Sequence, residues 1–124
     1  MKIDKYLNLL FEQFDASIAV TDIDGDFKDE WTDCYETRCH RRLENNYERR
    51  FCKATCQITA ANRAITRLNG ITGKCTTAPD PNRCIGVLKR AATRYQKRID
   101  NFRESQDKAR AKAAEFRRRA TGVI

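Results

Sequence analysis

The chain reads as all-α: a disulfide-stapled helical hairpin followed by a long, heptad-patterned C-terminal helix, with a short amphipathic helix at the N-terminus. Three observations predict this. Apolar residues recur at three- and four-residue spacing over most of the chain, the period of a helix face. No Gly or Pro interrupts residues 87–121. The six cysteines fall in pairs, Cys34/Cys39, Cys52/Cys56 and Cys75/Cys84. With 124 residues, there is room for one domain with a modest core.

The elements follow in order. Ile3, Leu7, Leu10, Phe11 and Phe14 share one face, which predicts a short helix over 3–14 within an acidic segment, 1–25. Ile18 to Val20 read as extended, and Asp24-Gly25 as a turn. Asp26 then caps a helix with Asp29 and Glu30 in its first turn, running to about Leu43. Asn45-Asn46 break that helix and cap the next. There, Tyr47, Phe51, Ala54, Ile58, Ala61, Ile65 and Leu68 make a heptad seam, ended by Asn69-Gly70. Residues 26–70 are thus the hairpin, and 71–84 a loop closed by Cys75 and Cys84.

Asp80-Pro81 is a cap followed by a helix-starting proline, and 85–121 form the long basic helix. Its seam runs Ile85, Leu88, Ala92, Tyr95, Ile99 and Phe102, then weakens to Gln106, Ala109, Ala113 and Phe116. About 40 helical residues would reach roughly 60 Å, against roughly 34 Å for the preceding helix. The last helix is therefore expected to overhang its partner by about four to five turns, over roughly Arg103 to Ala120.

If the two cysteine-bearing helices fold back on each other, the outer pair is Cys34–Cys56 and the inner pair Cys39–Cys52. Cys75–Cys84 then closes the loop. Six cysteines allow fifteen connectivities, so the pairing is a geometric expectation. Zinc on Cys34, Cys39, Cys52 and Cys56 is the alternative, but structural zinc more often sits on C-x2-C turns. Buried free thiols are the third reading. No metal or cofactor is expected, and His40 reads as a surface residue. Residues 34–56 resemble the twin-cysteine helical hairpins of small intermembrane-space chaperones and plant α-hairpinins, which use two CxxxC pairs. Here the second pair fits and the first is CxxxxC. Five residues on an ideal helix leave Cys34 and Cys39 about 140° apart.

The net charge of +8 conceals a polarity. Residues 1–33 carry three Lys against nine Asp and Glu, a net −6. Residues 34–84 carry ten basic against four acidic groups (+6), and residues 85–124 twelve against four (+8). With Ile85 at position a, seven of the ten e and g positions of the last helix are basic and none is acidic. That disfavours a parallel self-dimer and favours an acidic protein surface, with nucleic acid the less favoured partner. The expected contact residues are Arg103, Arg110, Lys112, Phe116, Arg117 and Arg119. No secretory signal is read in MKIDKYLNLLF, and no apolar run approaches the ~20 residues of a membrane span. Synthesis in a cytosol is expected, where six cysteines are unusual.

Two motifs resemble signatures of chemistry. The stretch SIAVTDIDGDF looks like the first motif of haloacid-dehalogenase-type phosphatases, with Asp22 as nucleophile and Asp24 as acid. Asp26 stands where that motif needs Thr, and the rest of the chain offers no sheet. Asp22, Asp24 and Asp26 also begin like a calcium loop, but Phe27 occupies the glycine position and Asp33 the bidentate Glu position. An acidic turn capping a helix is preferred to both. With one His, no Ser-His-Asp constellation can be built, and no enzymatic activity is expected.

Trp31, Cys34, Tyr35, Glu36 and Cys39, the run Pro81-Asn82-Arg83-Cys84, and Glu115-Phe116-Arg117-Arg118-Arg119 resemble features of small structural proteins of tailed-phage virions. The resemblance implies a linker or clamp in a neck, tail or baseplate, assembled in the host cytoplasm, with its long helix docked between larger subunits. The rival expectations are a redox-folded assembly factor of the intermembrane space and a basic nucleic-acid-binding protein.

Overall fold

The computed structural model describes residues 13–40 and 45–122. The expected N-terminal helix over 3–14 and the hairpin tip near Leu43 fall largely outside these. Among the described residues there is no strand. Helix α1 spans Ala16–Cys34 and continues as a π-helical turn, Tyr35–His40; α2 spans Asn46–Gly70; a 3-10 turn covers Thr72–Thr77; and α3 spans Pro81–Ala120.

Helix α1 starts ten residues before the expected Asp26 cap. Asp15 is the cap, its carboxylate accepting from the backbone N–H of Ser17 at 2.9 Å and Ile18 at 3.4 Å. Ala16, Val20, Ile23 and Phe27 are buried along one face, which turns the expected strand and turn into helix. Gly25 sits on the solvent side, where an interior helical glycine costs about 1 kcal/mol relative to Ala. Burying Val20, Ile23 and Phe27 returns about 1.5–3 kcal/mol each, so packing overrides the Asp24-Gly25 turn signal.

All three expected disulfides are present. Cys34–Cys56, Cys39–Cys52 and Cys75–Cys84 join Cα atoms 5.7, 5.6 and 5.6 Å apart. The π turn explains how CxxxxC substitutes for CxxxC. Its i→i+5 hydrogen bonding takes one extra residue per turn, so Cys34 and Cys39 stack on one face opposite Cys52 and Cys56.

Helix α2 packs against both of the others and runs antiparallel to each. Asn45 caps it as expected, accepting from Tyr47 N at 2.7 Å and Glu48 N at 3.3 Å. Of the heptad seam, Ala54, Ala61 and Leu68 are buried, while Tyr47, Phe51, Ile58 and Ile65 are half-buried. A second stripe, Cys56, Ala60 and Ala64, is also buried, because α2 serves two partners. Gly70 is its last helical residue and has no positive φ; among the described residues only Gly122 has one, at 69°. The expected left-handed glycine cap is thus replaced by direct passage into the 3-10 turn. Asp80 caps α3, accepting from Arg83 N at 3.1 Å, with Pro81 in the first turn.

The expected overhang of α3 is overturned by the register. Gln106 Nε2 donates to Thr55 Oγ1 at 2.8 Å, and Arg117 Nη2 to Glu48 Oε1 at 2.9 Å. The C-terminal half of α3 therefore runs beside α2 almost to the start of that helix. The surplus length lies at the other end, where the first turns of α3 pass Gly70. There the 3-10 turn covers them, tied by Cys75–Cys84, and Phe14 N meets Thr77 Oγ1 at 3.4 Å.

The main core joins Val20, Ile23 and Phe27 with Ala61, Leu68, Leu88, Tyr95 and Ile99. Contacts between α1 and α3 centre on Tyr95 and Arg98. The Tyr95 ring meets Phe27 edge-on at 5.2 Å, its hydroxyl donates to the Asp24 carboxylate, and the Arg98 guanidinium lies over the rings of Phe27 at 5.7 Å and Tyr95 at 5.2 Å. Burial, then the hydrogen bond to Asp24 and its charge, hold the Tyr95 hydroxyl well above its ordinary pKa. Beyond Phe102, α3 contacts α2 through the small residues Ala109 and Ala113. The seam weakens there because only two helices meet.

Candidate docking groove

The slot that α1 fills between α2 and α3 continues past the end of α1. On α2, the stripe Ala64 and Ala60 extends at helical spacing to Gln57, Lys53 and Arg50. On α3, Tyr95 and Arg98 extend to Phe102, Ser105, Ala109 and Lys112. The disulfide clamp draws the π turn toward Cys52 and Cys56, and the slot opens as a groove of about 610 Å³. Its floor includes Ala54 and Ala109, both buried. Arg50, Lys53, Lys108 and Lys112 line it together with Tyr47 and Phe102, and among the described residues no Asp or Glu does.

Aromatic faces hold two of these cations in place. Lys53 Nζ lies 5.4 Å from the Trp31 ring and 5.9 Å from that of Tyr35, while the Arg50 guanidinium lies 5.8 Å from the Tyr47 ring. Among the described residues the α3 lysines pair along their own helix, Lys108 to Glu104 at 3.1 Å and Lys112 to Glu115 at 3.9 Å. Such exposed pairs are worth about 0–1 kcal/mol and exchange readily for a better-placed carboxylate. The groove can therefore receive an anionic surface, with apolar contact at its alanine floor.

The six residues expected to bind a partner are divided by the structure. Lys112 lines the groove. Arg110 stacks on Phe51 at 5.0 Å and Arg117 pairs with Glu48, so both serve the α2–α3 contact. Arg119 pairs with Glu115 at 2.7 Å. Arg103 is exposed, and Phe116 is 52% exposed beside Arg117. Arg50, Lys53, Lys108, Tyr47 and Phe102 were not anticipated. Arg50 and Lys53 lie on a different helix from Lys108, and only the α2–α3 register brings them together.

The acidic segment finds part of its charge balance within the chain. Arg67 bridges Asp26 at 2.9 Å and Glu30 at 2.8 Å, and Arg63 approaches Glu30 at 3.8 Å. The phosphatase and calcium readings both fail on geometry. Asp22, Asp24 and Asp26 lie on one continuous helix, which turns Asp24 away from the face shared by Asp22 and Asp26; Asp24 accepts from Tyr95 and Asp26 from Arg67. No helix among the described residues is long and apolar enough to cross a membrane. No protein-family model, curated protein or solved structure matches the chain.

Proposed function

We propose that the chain is a non-enzymatic docking module whose basic groove receives an acidic amphipathic helix from a larger protein assembly. The observation that carries this is the third-helix slot past the end of α1, whose lining among the described residues offers four cations, an alanine floor and no carboxylate. A helix in that slot would continue the packing begun by α1, with its acidic flanks against Lys53 and Lys108. The setting proposed is a virion, as a linker or clamp. It is supported by the resemblance carried by Trp31, Cys34–Cys39, Pro81–Cys84 and Glu115–Arg119. The stapled hairpin also suits a redox-folded assembly factor of the intermembrane space. Mass spectrometry of native material distinguishes the two by whether virion proteins or intermembrane-space proteins accompany the chain.

Zero-length carbodiimide cross-linking of that native material tests the docking itself, because it joins lysine amines only to carboxylates in contact. The expected products link Lys53, Lys108 or Lys112 to Asp or Glu of another protein. Cross-links confined to Glu104 and Glu115 of the same chain would reject the reading. Nucleic acid is the second reading, favoured by Tyr47 and Phe102 beside the cations. If all four cations met single-stranded phosphates, log affinity would fall with log salt at a slope of about −3. A flat salt response removes that reading.

A further inference from the structure

We infer that the four hairpin cysteines form a second, metal-held clamp: once their two disulfides are reduced, Cys34, Cys39, Cys52 and Cys56 bind one zinc ion. Three of the four sulfurs already converge across the two bridges, and Cys34 Sγ, bonded to Cys56 Sγ, is the one that must swing in. Cys39 Sγ and Cys56 Sγ, which belong to different disulfides, are 3.8 Å apart, and those of Cys39, Cys52 and Cys56 all lie within 4.8 Å of one another. A tetrahedral zinc with Zn–S bonds of about 2.3 Å has sulfur–sulfur edges of about 3.8 Å. The contact between bridges is thus one edge of such a tetrahedron. Reduction lets each bonded pair relax toward van der Waals separation, close to two further edges, and the other three are set as Cys34 turns in. Backbone rearrangement is small, because both cysteine pairs already stand about one turn apart on facing helices.

The surroundings suit the exchange. Cys39 is fully buried and Cys56 nearly so, which shields the centre from competing ligands. Cys34, Cys52 and Cys56 line a groove of about 320 Å³, the entry for a reductant and then for the metal. Asp33 lines the same groove and attracts a cation, and Arg38 and Arg63 face it. Those arginines offset the double negative charge of a zinc tetrathiolate.

The reactions balance with a low-molecular-weight thiol of the glutathione class as reductant. Each disulfide takes two thiols, giving two cysteine thiols and one small-molecule disulfide. The four cysteine thiols then lose four protons to solvent as their sulfurs bind Zn2+. A reducing compartment would hold the hairpin by metal and an oxidising one by bridges; there two equivalents of the small-molecule disulfide reoxidise the four thiolates, four small thiols form with four protons from solvent, and zinc is released. This clamp is independent of what the basic groove binds.

The test is native mass spectrometry of the full chain, reduced with glutathione and supplied with one equivalent of zinc. Cobalt(II) absorption is read in parallel, because its visible bands report tetrahedral thiolate ligands directly. One metal per chain is expected. The Cys75→Ser/Cys84→Ser variant should keep both the metal and the four-thiolate cobalt spectrum, and Cys52→Ser/Cys56→Ser should lose them. Absence of stoichiometric metal in the reduced chain would overturn the inference. So would a cobalt spectrum that needs Cys75 and Cys84, or one that survives loss of Cys52 and Cys56.

Discussion

Replacing Gly25 with alanine separates two conformations of the same tetrapeptide. In the turn suggested by Asp24-Gly25, alanine would be strained or neutral. In the observed helix, Gly25 lies mid-element without a positive φ, and an added Cβ meets nothing within 4 Å. No steric term therefore opposes the gain in helix propensity, about 1 kcal/mol, part of which acts by restricting the unfolded chain. With a urea dependence of about 2 kcal/mol per M, the midpoint should rise by about 0.5 M. The thermal midpoint should rise by about 3–6 °C for a chain of this size. The assay is circular dichroism at 222 nm on the oxidised protein, with both variants unfolded in parallel. An unchanged or lowered midpoint would refute the helical assignment at Gly25, and with it the claim that burial of Val20, Ile23 and Phe27 decides this segment.

Two further outcomes follow from the core. Tyr95→Phe should destabilise by about 1.5–3 kcal/mol in urea unfolding, because the hydrogen bond it removes goes to a charged, half-buried carboxylate. The same variant should flatten the alkaline pH dependence. The folded-state pKa of Tyr95 is raised above its ordinary 10.0, so the stability this contributes is fully present below pH 10 and is lost as pH climbs beyond it. Leu88→Ala should cost about 2–5 kcal/mol, whereas Phe116→Ala should stay within about 0.5 kcal/mol. Comparable losses at the two sites would contradict the placement of the core.

The cysteine pairing was legible in the sequence because nested pairs on two facing helices leave one geometrically simple connection. Asn45 and Asp80-Pro81 were equally readable, since a cap is a local device. The start of α1 was not. Asp24, Gly25 and β-branched Ile18 all argue locally for turn or strand, and only the partners of Val20 and Phe27 reverse the balance. The π turn was visible as a misfit between Cys34 and Cys39, without its resolution. The register of α2 on α3 was beyond reach. A seam of Ala54, Ala61, Ala109 and Ala113 has no shape that singles out one offset, so the overhang was placed at the wrong end. The groove inherited that error, because Lys53 and Lys108 become neighbours only in the true register.

Helix α3 is covalently uniform, yet its two halves rest on different foundations. Its first half is wedged among Leu68, Phe27 and the other large side chains of the core, while its second half leans on alanines and a few surface ion pairs. Opening events should therefore be graded along a single unbroken rod. Amides around Leu88 to Ile99 would exchange with solvent only on global unfolding, and those toward Arg117 through brief local detachment. The cysteine clamp on α2 stands near the junction. It limits how far detachment can spread into the hairpin, and it leaves the distal stretch of α3 free to adjust without loosening the rest.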